Sequence, residues 1–129
     1  MDVSRPELLS ASDAARAVAA GALSAEQLMQ ACLARIREVE PAVQAWQYLD
    51  EAHALAQARS RDLDRAEGRP LGPLHGVPVG IKDIIDTTDM PTEDGTVLHA
   101  GRRPARDAAV VAQLRAAGAV ILGKTVTTE

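Results

Sequence analysis

Residues 76–86 read GVPVGIKDIID, and the reading of this stretch decides the fold. Val77, Val79 and Ile81 alternate with small or imino residues, and Ile84 and Ile85 follow. Such alternation predicts a strand over about 77–85. Lys82 stands in the middle of it, which raises the question of what an ammonium group does in an apolar strand.

Working outward, residues 68–80 hold four Gly and three Pro and read as a loop entering that strand. Beyond it, TTDMPTEDGT (87–96) is polar, and a poorly periodic loop is expected to run to Arg106. Asp107 is then expected to cap a helix over AAVVAQLRAA, with Gly118 closing it and AVILGK (119–124) forming a short apolar strand. Toward the N-terminus, Ser10 or Ser12 can cap a helix to about Ala20, stopped by Gly21. Ser24 and Gln27 fit a capping box. The helix after them carries Leu28, Cys32, Ile36 and Val39 on one face, and Pro41 is expected to end it. AWQYL (45–49) suggests a strand, and Asp50 a cap for a helix over 51–67 that stops at Gly68. The order αα-β-α-β-α-β predicts an α/β fold with a partly parallel, mixed β-sheet flanked by helices. No internal boundary is visible, so residues 1–129 read as one unit.

Composition narrows the function. Apolar residues make up 47% of the 129, yet only Trp46 and Tyr48 are aromatic, so the core must come from Ala, Val, Leu and Ile. The net charge is −4, and neither half is basic, which argues against a nucleic-acid footprint. A single cysteine, Cys32, allows no internal disulfide and fits a reducing compartment. Nothing resembles a signal peptide or a membrane span. A cytoplasmic protein is expected, with no membrane partner.

Only two of the fourteen basic residues are lysines, Lys82 and Lys124, and both lie in apolar strands. Arg stays charged when buried, whereas Lys can lose its proton. The plain structural reading lays each stem along apolar surface and lets the ammonium reach water or a nearby Asp. The functional reading makes one of them a base. GAVILGKT (118–125) also satisfies a phosphate-loop pattern, but its context is wrong. A helix precedes the first Gly, and the four central residues are themselves the strand. Their N–H groups would pair within a sheet.

His53, His75 and His99 show no metal-ligand spacing and read as solvated helix or loop residues. Cys32 reads as a packed thiol. Asp83, Asp86, Asp89, Glu93 and Asp94 read as a solvated acidic loop without calcium-loop spacing. Asp83 differs, since it points to the side opposite Lys82 in a regular strand and can anchor the strand end. No cofactor site is read. Ser4, Ser10, Ser12, Ser24 and Ser60 lie near the N-terminus, at caps or on helices, and none sits in a Gly-rich turn with oxyanion-binding amides.

GPLHGVPVGIKDIID, MPTEDGT and DAAVVAQLRAAGAVILGKTVTTE together resemble the opening of the amidase signature family. The match runs in order from about Ser12 to Glu129. The resemblance implies the front part of the amidase signature fold, and hydrolysis of a carboxamide C–N bond by a serine, a second serine with a cis peptide bond, and a lysine. That lysine matches Lys82, in the context Gly80-Ile81-Lys82-Asp83. Gly80 is expected to leave space on the Lys82 face, and Asp83 to play a structural part. The two family serines follow the segment that matches TVTTE, so this chain is expected to be inactive alone and to be the front of a longer domain. A free lysine holds its proton to about pH 10.4, and a base near neutrality needs roughly 4 kcal/mol of bias against the charged form. Val79, Ile81 and Ile84 are the residues expected to keep Lys82 dry.

The same resemblance covers the amidase subunit of a tRNA-dependent amidotransferase. A non-catalytic α/β binding module is the alternative of another class. A small-molecule amide is the expected substrate, and a homo-oligomer a possible assembly. Cut sheet edges and an apolar face would make the isolated chain prone to association.

Overall fold

The computed structural model describes residues 1–128. After a short 3-10 turn at Pro6–Leu8 come α1 (Ala11–Ala20), α2 (Ala25–Val43), β1 (Trp46–Leu49), α3 (Glu51–Ala66), β2 (Pro78–Lys82), a second 3-10 turn at Val97–His99, α4 (Ala109–Ala116) and β3 (Val120–Thr125). The three strands lie in the order β1-β3-β2, with β3 in the middle. β3 runs parallel to β2 and antiparallel to β1. The sheet is therefore mixed, with α4 as the crossover between its parallel pair.

The ends of the first helices follow local chemistry. Ser10 caps α1 by accepting from the Asp13 N–H, and Gly21 closes it in the left-handed region at φ 77°. Ser24 and Gln27 form the full capping box. Asp50 caps α3 through the His53 N–H. Pro41 does not end α2, contrary to expectation. The helix continues to Val43, and Gln44 at φ 54° closes it by donating to the Glu40 carbonyl. A proline so near the end removes one intrahelical bond, and the turn can still complete.

Asp107 does not cap α4. The N-cap is Ala108, without a side-chain bond. The Asp107 carboxylate instead accepts from the Thr88 N–H at 2.8 Å and from Arg115 Nε at 3.0 Å. It ties the long loop to the helix instead of serving the helix end.

Two apolar layers sandwich the sheet. On one side α1, α2 and α3 bring Val18, Leu28, Met29, Leu33, Ala54 and Ala58 against Val77, Val120 and Leu122. On the other, Ile81, Met90, Val111 and Ile121 pack with Tyr48, Val79 and Leu114. Ala is frequent where helix meets sheet, as a chain nearly without aromatics requires. Gly118, at φ 95°, sits where an added Cβ would lie 2.7 Å from the His75 Cα, so only glycine lets the entry loop pass.

One irregularity matters for the site. Val79 pairs with Ile121, but the next residue, Gly80, pairs with Gly123. β3 thus carries an extra residue at Leu122. Such a bulge changes the face on which the following side chains emerge.

Candidate active site

Gly80, Lys82 and Asp83 lie at the end of β2, an edge strand. The strand stops at Lys82 and does not reach residue 85. Lys82 shares its face with Gly80, by the alternation of strand side chains. Asp83 follows Ile81 on the opposite face.

Lys82 is exposed. Its backbone pairs with Thr125 across the sheet, and its carbonyl accepts from the Ile85 N–H at 3.0 Å. The dry surroundings expected from Val79, Ile81 and Ile84 are not present. Ile81 is buried on the other face, Val79 packs in the layer under α4, and Ile84 is itself 51% exposed. Local sequence supplies no desolvation here: alternation turns Val79 and Ile81 away from the lysine, and Ile84 lies beyond the strand end, itself exposed.

Gly80 also differs from expectation. Its face is occupied: an added Cβ would lie 2.9 Å from Trp46 Cη2 and 3.2 Å from Thr125 Cγ2. The glycine admits the Trp46 ring from across β3, and so positions an aromatic side chain on the face that carries Lys82.

The dry lysine is Lys124. Its side chain has no exposed surface, and that of Asp83 has 1%. Lys124 Nζ lies 2.7 Å from Thr92 Oγ1, 3.2 Å from the Pro91 carbonyl and 3.4 Å from Asp83 Oδ1. Burial pushes the Lys124 ammonium below its ordinary value, and the Asp83 carboxylate works against that push. The bulge at Leu122 explains the placement. Without the extra residue Lys124 would share the face of Val120 and Leu122; with it, Lys124 emerges beside Ile81 and Asp83.

Asp83 is held on every side. Its N–H donates to the Thr125 carbonyl at 2.9 Å, its carbonyl accepts from the Asp94 N–H at 2.9 Å, and Oδ2 accepts from the Glu93 N–H at 3.3 Å. Oδ1 has the ion pair with Lys124 and no hydrogen bond of good geometry.

The acidic loop is not a solvated one. Asp86 pairs with Arg102 at 3.0 Å, and Arg102 also donates to the Thr92 carbonyl. Asp89 meets Arg115 at 2.7 Å and His53 Nε2 at 2.7 Å. Burial pulls the Asp89 carboxyl upward, but the His53 hydrogen bond and the Arg115 charge more than offset this, leaving it below the usual carboxylate range. His53 is therefore a loop anchor, and His75, buried, bonds the Arg61 carbonyl at 2.8 Å. Cys32 packs against the helical core, and burial pushes its thiol up. Sequence reasoning missed these pairings because their partners lie 10 to 36 residues apart.

Ser10 and Ser24 are helix caps, and Ser12 and Ser60 lie within helices. Among the described residues no group of three or more His, Cys, Asp or Glu could hold a metal ion, and no helix is long and apolar enough to cross a membrane. The strand reading of 120–125 is also decisive against phosphate binding. Val120 and Ile121 pair with β2, and the N–H groups that a phosphate loop would use are in the sheet.

Comparison with known proteins adds a second line. A family model described as Amidase matches residues 27–129. A glutamyl-tRNA(Gln) amidotransferase subunit of Chloroflexus aurantiacus is 47% identical over 116 residues, which is 90% of this chain and 24% of that protein. A putative amidase, AmiD, of Mycobacterium tuberculosis is 46% identical over 107 residues, 83% of this chain and 22% of that one. The structure of the peptide amidase from Stenotrophomonas maltophilia superposes with a TM-score of 0.84 at 40% identity, covering 92% of this chain and 24% of that one. The chain thus spans about a quarter of the length of the relatives it matches.

Proposed function

The chain belongs to the amidase family, and on that premise we propose that it contributes the lysine base of a carboxamide-cleaving site. The observation that carries this reading is the division between the two lysines. Lys124 is consumed by the interior, in contact with Asp83, Thr92 and Pro91. Lys82 stands exposed at the end of an edge strand, in the Gly-Ile-Lys-Asp context of the family resemblance. Its backbone is fixed and its amine can be reached by another hydroxyl group.

In the arrangement that the resemblance implies, neutral Lys82 takes a proton from a bridging serine, which takes one from the nucleophilic serine. The nucleophile attacks the amide carbonyl, and the proton returns to the departing amine. An arginine at position 82 would stay charged and could not begin the relay. The resemblance places both serines after the segment that matches TVTTE; of this chain's own serines, Ser10, Ser12, Ser24 and Ser60 belong to helices or their caps, and Ser4 lies exposed near the N-terminus. The polypeptide that carries the two serines must also cover Lys82, since desolvation is what favours a neutral amine. The chain by itself is predicted to be inactive.

The test joins this chain to the part of the Stenotrophomonas maltophilia peptide amidase that follows its matching segment. The fusion is expected to hydrolyse simple primary carboxamides, and Lys82→Ala to cost about a hundredfold or more. Turnover by the 129-residue chain alone, or an active Lys82→Ala fusion, contradicts the reading. A second reading, the amidase subunit of a tRNA-dependent amidotransferase, is favoured by relatives of that name at 47–49% identity. It predicts that glutamine-derived ammonia, released only with partner subunits present, is the product that responds to Lys82.

A further inference from the structure

We propose that the buried Lys124–Asp83 pair, with Thr92, is a positioning device that aims Lys82. The proposal rests on Lys82 being the base. It starts from a geometric fact: the residue next to Lys82 is the most heavily tied residue of the segment. Asp83 is linked to β3 through the Thr125 carbonyl, to residues 93 and 94 through two N–H groups, and to Lys124 through Oδ1. Lys124 in turn holds Pro91 and Thr92. The chain leaves β2 at Lys82, makes a loop, and returns so that residues 91–94 close over the strand end.

A lone edge strand ends loosely, because one side of its backbone has no partner. Here the last strand residue is followed at once by a residue whose N–H, carbonyl and carboxylate are all engaged. The Lys82 Cα–Cβ direction is fixed from below while its amine stays in the open. Lys124 reaches this anchor only because the bulge at Leu122 turns its side chain to the Asp83 face. A packed hydrophobe at 124 would fill the same space without holding 83, 91 and 92 in one arrangement.

The groups facing Lys124 are those of β2 and of the loop. Asp83 is in contact, and Asp86 and Asp94 act at longer range. Lys124 and Asp83 are positioning residues, not groups that touch substrate.

The test uses the 129-residue chain, in which lysine labelled with 13C and 15N gives two side-chain signals. In the unsubstituted chain, the Lys124 ammonium protons are expected to exchange with water far more slowly than those of Lys82. Equal exchange overturns the anchor outright, without any variant. Lys124→Met and the double variant Asp83→Asn/Lys124→Met then follow. The double variant removes both buried charges, which keeps folding within reach. It is expected to fold, with the Asp83 and Asp94 amides exchanging about tenfold faster and the Lys82 Cβ more mobile on the ps–ns scale. Unchanged exchange and unchanged Lys82 order in a folded double variant overturn the proposal. In the active fusion, the double variant is expected to lower kcat with KM little changed. A merely structural role predicts full kcat once folding is recovered. Loss of activity in Lys82→Ala with normal kcat in the double variant sinks the positioning role alone; full activity in Lys82→Ala sinks the base reading beneath it.

Discussion

Lys82 and Lys124 are alike in sequence and opposite in structure. Each follows an apolar stretch, and each ends or nearly ends a strand. Lys82 lies on the edge strand and is exposed; Lys124 lies on the central strand with no exposed surface. The difference teaches that an apolar run does not by itself dry a lysine. The position of the strand in the sheet, and the face on which the residue emerges, decide it. The plain structural reading holds for both side chains: one ammonium reaches solvent and the other reaches an aspartate. A catalytic part for Lys82 then needs desolvation from outside this chain.

The comparison can be broken most forcefully at Lys124. Lys124→Met leaves the Asp83 carboxylate buried without a cation, and breaking such a pair costs about 3–5 kcal/mol. Urea unfolding is expected to show a loss of that size, and the double variant with Asp83→Asn to recover most of it. Lys82→Met, on the exposed side, is expected to stay within about 0.5 kcal/mol of the unsubstituted chain. Equal losses at the two positions would erase the distinction.

A smaller effect is expected at Gly80. Gly80→Ala sets a methyl 2.9 Å from the Trp46 ring. Overpacking of this kind costs about 1–3 kcal/mol. The Trp46 fluorescence maximum is expected to shift with it, which reports whether the ring on the Lys82 face has moved.

The smallest effect is a pH dependence. Asp89 is depressed when folded, so its contribution to stability is present above the ordinary carboxylate value of 3.8 and is lost as pH falls through the lower folded value. Asp89→Asn is expected to flatten the acid limb of the stability curve below about pH 4. Lys124 acts in the opposite range. Its depressed folded value means the unfolded chain binds more protons between that value and 10.5, so its own contribution rises with pH there.

Much of the fold could be read in the residues. The caps at Ser10, Ser24 and Asp50 and the stops at Gly21 and Gly118 are local devices, and local devices are written in short stretches. Alternation located β1 and β2 and placed Asp83 opposite Lys82, and a short apolar run located β3. Pro41 misled because a breaker in the last turn of a helix removes little. Asp107 misled because its carboxylate bonds Thr88 and Arg115 instead, a pairing that no local rule contains. The site was legible in outline only. The family resemblance picked Lys82, but periodicity gave no sign of the bulge at Leu122. That single extra residue moves Lys124 to the face of Asp83, while the other acids of the loop meet Arg102, Arg115 and His53, partners distant in sequence. Bulges are set by pairing between distant strands, so one strand's sequence does not announce them.

The division of labour between the lysines can be measured directly. The native chain is treated with an amine-acylating reagent, and the sites are mapped peptide by peptide as a function of time. The account predicts that Lys82 is acylated rapidly and completely while Lys124 stays unmodified until the chain is unfolded. Acylation of both at one rate in the native chain, or of Lys124 before Lys82, would contradict it.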